Sequence, residues 1–133
     1  MQKISTFLMF EGHAEEAMSF YISLFENSRV LNLARYGPDQ PDFEGKVLHA
    51  VFELNGQEFM CMDSNIQHGF TFTPSMSLFI ICKSEPEIDR LYKQLSQGGQ
   101  VLMELDRYPF SEKFTWVNDR FGVSWQLNLV KEA

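Results

Sequence analysis

Phe114 to Leu129 reads FTWVNDRFGVSWQLNL, and its pattern decides the fold. Phe114 to Val117 is one short apolar run and Val123 to Leu129 another. Asn118, Asp119 and Gly122 between them supply turn chemistry, so the stretch predicts two strands joined by a tight turn. The second run alternates strictly. Val123, Trp125, Leu127 and Leu129 share one face, and Ser124, Gln126 and Asn128 share the other. The first face is core. The second is a row of uncharged hydrogen-bonding groups where a plain solvent face would carry Lys and Glu, so this strand predicts a site as well as a sheet.

Working outward, the rest of the chain is built the same way. Asn55-Gly56 is the strongest hairpin signal, because a type I′ turn needs two positive φ angles. It joins a strand over Lys46 to Leu54 to one over Gln57 to Asp63. Ahead of it lie a strand over Lys3 to Phe10, apolar on both faces apart from Ser5 and Thr6, a helix from Ala14 to Phe25 and a strand from Arg29 to Tyr36. The helix carries Ala14, Ala17, Met18, Tyr21 and Phe25 at helical spacing, with His13 as its predicted cap. Ser64 to Pro74 is irregular. The plan then restarts. Met76 to Cys82 reads as a strand. Ser84 to Glu87 is a capping box with a first-turn proline, and Ile88, Leu91, Tyr92 and Leu95 form the stripe of a second helix. Val101 to Leu105 is a strand, Arg107 to Glu112 a loop, and the opening hairpin closes the chain. The expectation is an α+β fold of two βαβββ modules, residues 3–63 and 76–130 joined by a 64–75 linker, in a single domain over 1–133. Their curved mixed sheets would enclose a cavity with the faces the helices leave uncovered.

The Asn55-Gly56 turn fixes register: Leu54 opposite Gln57, Glu53 opposite Glu58, Val51 opposite Met60. His49, Val51, Glu53, Glu58, Met60 and Met62 then share the open face. Leu48, Ala50, Phe52, Leu54, Phe59 and Cys61 share the covered one. Superposing the hairpins through Gly56 and Gly122 sets Met60 level with Gln126, and Phe59 level with Trp125.

Composition excludes several classes. The 133 residues are 44% hydrophobic with 13 Phe, enough for a sizeable core. No apolar run approaches the ~18 residues of a membrane span. The net charge of −7 argues against nucleic acid and against anionic lipid. Cys61 and Cys82 lie in strand-like runs without metal spacing, as buried reduced thiols of a cytoplasmic protein would.

The segments ISTFLMF, AEEAMSFY, LHAVFELNGQEFMCMDS, HGFTFTPSMSLFI and FTWVNDRFGVSWQLNL together resemble the vicinal oxygen chelate superfamily of glyoxalase I, bleomycin-resistance proteins and extradiol dioxygenases. Within it they resemble the PhnB-like branch, whose domain label is 3-demethylubiquinone-9 3-methyltransferase. The resemblance implies paired βαβββ modules around a pocket and a homodimer. It also implies a metal site, with one His or Glu ligand on the first and last strand of each module. By position these places fall on Thr6, Met60, Ser77 and Gln126. That set has no carboxylate or imidazole and offers nothing anionic to a dication, so the expectation is that the metal site is lost, with no cofactor. No glycine-rich strand-to-helix turn supports S-adenosylmethionine binding.

Other candidates carry plain readings beside functional ones. His49 and Glu53, on one strand face, could pair as acid and base or replace metal ligands. A hydrogen-bonded surface pair is the commoner outcome. Trp116 could stack a ligand or simply pack. His68 lies in the irregular midpoint segment beside Phe70 and Phe72, where a connector is commoner than a lid. Thr6 and Ser77 lack an activating His and Asp. The leading expectation is a small-molecule-binding protein whose ligand is oriented by Gln126, Thr6, Ser77 and Ser124, with His49, Glu53, Met60 and Trp116 also lining the site. The competing expectation is a metal-dependent lyase or isomerase, or another enzyme of the superfamily, using His49 and Glu53.

Overall fold

The computed structural model describes residues 2–130. Residue 1 and residues 131–133, the ends of the expected 1–133 domain, lie outside the described residues. The chain divides into two compact units, one ending at Gly69 and one beginning at Phe70, and each is described by itself. The division falls inside the stretch expected to link the modules.

The first unit runs β1 (Thr6–Phe10), α1 (Ala14–Leu24), β2 (Arg29–Arg35), β3 (Val47–Leu54) and β4 (Gln57–Asp63). Its four strands form one mixed sheet in the order β1-β4-β3-β2, with β1 parallel to β4. The Asn55-Gly56 turn forms as expected, with φ of 50° and 81°. It sets the predicted register of Val51 with Met60, Glu53 with Glu58 and Leu54 with Gln57. Ala50, Phe52, Leu54, Phe59 and Cys61 are buried with Ala14, Ala17, Met18, Tyr21 and Leu24 of α1. Three expectations are corrected here. Leu48 is exposed and Val47 is buried in its stead. Ala34 pairs with His49 but Arg35 with Val47, so Leu48 is the extra residue of a bulge and alternation breaks there. On β1, Phe7 is 47% exposed, so only the Leu8 and Phe10 face is covered. At the start of α1, the His13 side chain makes no capping bond. Asp63, distant in sequence, accepts from the backbone N–H groups of Gly12 at 2.8 Å and Ala14 at 2.9 Å, and its other oxygen accepts from Val47 at 3.1 Å. One buried carboxylate thus ties the helix start to the β3 start.

The second unit repeats the plan with β5 (Leu78–Cys82), α2 (Glu85–Ser96), β6 (Gln100–Tyr108), β7 (Ser111–Asn118) and β8 (Ser124–Leu129) in the sheet order β5-β8-β7-β6. Ser84 caps α2 by accepting from the Glu87 N–H at 3.3 Å, and Ile88, Leu91 and Leu95 are buried. The loop expected over Arg107 to Glu112 is instead mostly strand. β6 and β7 pair almost to the Pro109-Phe110 turn, with register shifts between Val101 and Met103, Met103 and Asp106, and Asp106 and Tyr108. These irregularities erase the period-2 pattern that sequence reading depends on. The hairpin end is held instead by rings. Phe110 lies 5.6 Å from Tyr108 and 5.0 Å from Phe114, centroid to centroid.

Candidate functional site

The β7–β8 register pairs Phe114 with Asn128, Trp116 with Gln126 and Asn118 with Ser124. In-register neighbours share a face, so the polar row of β8 lies beside two aromatic residues of β7 on the face away from the buried Trp125, Leu127 and Leu129. On the other side of β8, Phe79 of β5 is level with Gln126. These side chains line a cavity of about 450 Å³. Its walls are Phe79, Phe114, Trp116, Phe110 at the β6–β7 turn and Met103 of β6. Gln126 and Asn128 supply its polar groups. Apolar walls with a few placed polar groups, at this volume, are the usual make-up of a small-molecule site.

The polar groups differ in what they are committed to. Trp116 Nε1–H donates to Ser124 Oγ at 2.8 Å, and Ser124 Oγ shares a second hydrogen bond with Ser77 Oγ at 2.9 Å. The Ser111 hydroxyl donates to Asn128 Oδ1. Gln126 is different. Among the described residues its carboxamide has no hydrogen-bond partner, although it lies between Phe79 and Trp116 on the cavity wall. It presents a donor and an acceptor to whatever occupies the space.

Of the residues singled out from sequence, Gln126 and Trp116 line this cavity. Ser124 is buried, and with Ser77 it fixes the indole of Trp116 rather than lining the wall. Thr6 is level with Phe59 and shares the covered face of Leu8 and Phe10, so the first-strand residue level with Met60 is Phe7, one position on. Likewise the residue level with Gln126 is Phe79, two positions after Ser77. A thioether beside a phenyl ring, and a carboxamide between two aromatic rings, give a hard dication no anionic ligand. His49, Glu53 and Met60 belong to the open face of the first unit. There Glu53 pairs with Arg29 at 2.9 Å, not with His49, and Glu58 pairs with Lys3 at 2.7 Å. Arg35 makes a two-pronged pair with Glu15 at 2.8 and 2.6 Å, which holds that carboxyl below its usual range. His68 bonds Ser64 Oγ at 2.7 Å, while the neighbouring Phe70 is exposed rather than tucked into a core.

Sequence reading missed Phe79, Met103, Phe110 and Phe114. Phe79 could have been found by carrying the Gln126 register across to β5. Phe110 could not, because the bulged hairpin that presents it gives no alternating signal.

Two units of strand, helix and three strands, each with its first and last strands parallel and adjacent, define the glyoxalase-like, vicinal oxygen chelate class of fold. A structure of the fosfomycin resistance protein FosX from Listeria monocytogenes shares this fold at 14% identity, covering 96% of this chain and 93% of that one with a TM-score of 0.64. Residues 2–128 match the family described as 3-demethylubiquinone-9 3-methyltransferase, and the chain belongs to that PhnB-like family. It is similar to a putative 3-demethylubiquinone-9 3-methyltransferase, PhnB protein, from Bacillus cereus. The two are 59% identical over 97% of this chain and 100% of that one, with a TM-score of 0.94. Protein YjdN of Escherichia coli (strain K12) is 24% identical over 97% of this chain and 96% of its own length. No helix among the described residues is long and apolar enough to cross a membrane.

Proposed function

We propose that this protein binds an uncharged, ring-bearing small molecule on the open face of the β5–β8 sheet without the divalent metal of its superfamily. The observation that carries the reading is the Gln126 carboxamide, unengaged on the wall of a cavity that four aromatic residues line. Phe79, Phe110, Phe114 and Trp116 offer ring faces and edges for stacking, and among the described residues no Lys or Arg lines the space to balance a ligand charge. Gln126 sets the ligand's orientation by hydrogen bonding, while Ser77 and Ser124 hold the Trp116 ring where a ligand would meet it. The same reading takes the protein to be a cytoplasmic homodimer, in keeping with two buried reduced thiols and with its family.

The test is a thermal-shift screen over a broad metabolite and antibiotic panel, with native mass spectrometry of the freshly purified protein for a retained compound. Uncharged aromatic compounds are expected to raise the melting temperature of the unaltered protein. Gln126→Leu should melt at nearly the same temperature alone and lose most of the shift. Absence of any hit, or hits indifferent to both Gln126→Leu and Phe79→Ala, would remove the reading. Light scattering on the purified chain tests the dimer separately.

A further inference from the structure

The open face of the first unit has its own chemistry. Met60 and Met62 are two residues apart on β4 and so project from one face. Met9 of β1 is level with Met62. On the other side of β4, His49 of β3 follows the last paired position, Ala50 with Cys61, which sets it beside Met62 as well. Adjacent strands are about 4.8 Å apart, so Met9, Met62 and His49 form a row across three strands, with Met60 one step along. All four side chains are half-buried rather than packed beneath the helix. Phe7, level with Met60, brings its ring to 6.3 Å from the His49 ring. The imidazole of His49 has no hydrogen-bond partner among the described residues.

We propose that Met9, Met60, Met62 and His49 form a binding site for a soft monovalent cation, Cu(I) or its analogue Ag(I). Ligand class decides the metal. Thioethers are poor ligands for hard cations and select Cu(I), and neutral imidazole serves copper equally well. The carboxylates on this face do not compete for the role, because Glu53 and Glu58 are held in ion pairs with Arg29 and Lys3 at the hairpin end. Long unbranched methionine side chains reach a common point from strands of different depth without moving the sheet. The nearby thiol of Cys61 is buried on the covered face, away from this row.

The experiment is a titration of the full chain with Ag(I), and with Cu(I) under anaerobic reducing conditions against a chromophoric chelator. Methionine methyl resonances are followed by NMR and stoichiometry by native mass spectrometry. One ion per chain is expected, with the Met9, Met60 and Met62 methyl signals shifting and that of Met18, buried on α1, unmoved. Met60→Leu/Met62→Leu should keep the fold and weaken binding by about tenfold or more, and His49→Phe should weaken it likewise. Zn(II) should bind far more weakly. The proposal is overturned if no methyl signal moves. It is also overturned if Zn(II) matches Ag(I), or if binding survives the double methionine variant and disappears in Cys61→Ala/Cys82→Ala.

Discussion

The carboxylate of Asp119 accepts the indole N–H of Trp125 at 2.9 Å, and both residues are buried. The other Asp119 oxygen accepts from the backbone N–H groups of Phe121 at 2.8 Å and Val123 at 3.1 Å. One side chain therefore closes the β7–β8 turn and anchors the largest buried ring of the sheet. Asp119→Ala removes the carboxylate that accepts from three buried or partly buried donors. The expected loss is about 3 kcal/mol or more, read from the urea midpoint at unchanged slope. Asp119→Asn keeps one acceptor and should lose less. Equal stability of Asp119→Ala and the unaltered protein would show that water replaces the carboxylate.

The two buried aspartates mark where sequence reading stops. Alternation in VSWQLNL and the Asn55-Gly56 dipeptide made the hairpins, the register of the first and the repeated module legible, because turn sterics and period-2 burial are local properties. Asp119 was legible as turn chemistry, but not as the partner of Trp125. Asp63 closes a helix 49 positions before it, so the local rule assigned that cap to His13. The candidate site divides the same way. The uncharged row on β8 announced Gln126, whereas Phe110 reaches the cavity from a hairpin end that local rules read as loop, and Met103 from a strand whose register shifts hide its face.

Gly99 is required by close approach. A Cβ there would lie 2.0 Å from the Asn118 carbonyl oxygen and 3.0 Å from Asp119 Cα, both backbone atoms with no side-chain torsion to relieve them. Gly99→Ala must displace the α2–β6 connection from the Asn118-Asp119 turn. A cost of roughly 3 kcal/mol is expected, at the upper end for overpacking. Gly56→Ala meets no atom and is opposed only by its φ of +81°, so it should cost less, about 1 kcal/mol. Comparing the two by chemical denaturation checks the ranking, and a reversed order would contradict it.

Cys61 and Cys82 give the fold an alkaline limit. Burial pushes both thiols from an ordinary 9.0 up to about 12, with Asp63 adding to the first and Glu87 to the second. Below pH 9 the thiols are protonated in folded and unfolded chains alike and contribute no pH dependence. Between about 9 and 12 the unfolded chain releases protons that the folded chain retains, so stability falls as pH rises. Urea unfolding at pH 8 and pH 10 should show a smaller drop for Cys61→Ala/Cys82→Ala than for the unaltered protein. Iodoacetamide at pH 8 should label neither cysteine until denaturant is added. Rapid native labelling would mean the thiols are accessible and the alkaline effect absent.

The Trp116–Ser124–Ser77 chain separates ring placement from ring presence. Trp116→Phe keeps an aromatic face on the cavity but removes the N–H that fixes it, while Ser124 retains Ser77 as a partner. A stability loss of about 1 kcal/mol is expected, the net value of one such bond. Ser124→Ala removes the same bond from the other side and strands the indole N–H, so it should cost somewhat more. The double variant should cost less than the sum of the two, because the shared bond is lost only once. If a ligand stacks on this ring, both single variants should weaken it by a similar factor, since each frees the ring to rotate. Ligand shifts retained in Ser124→Ala and lost only in Trp116→Ala would show that the ring's presence matters and its orientation does not.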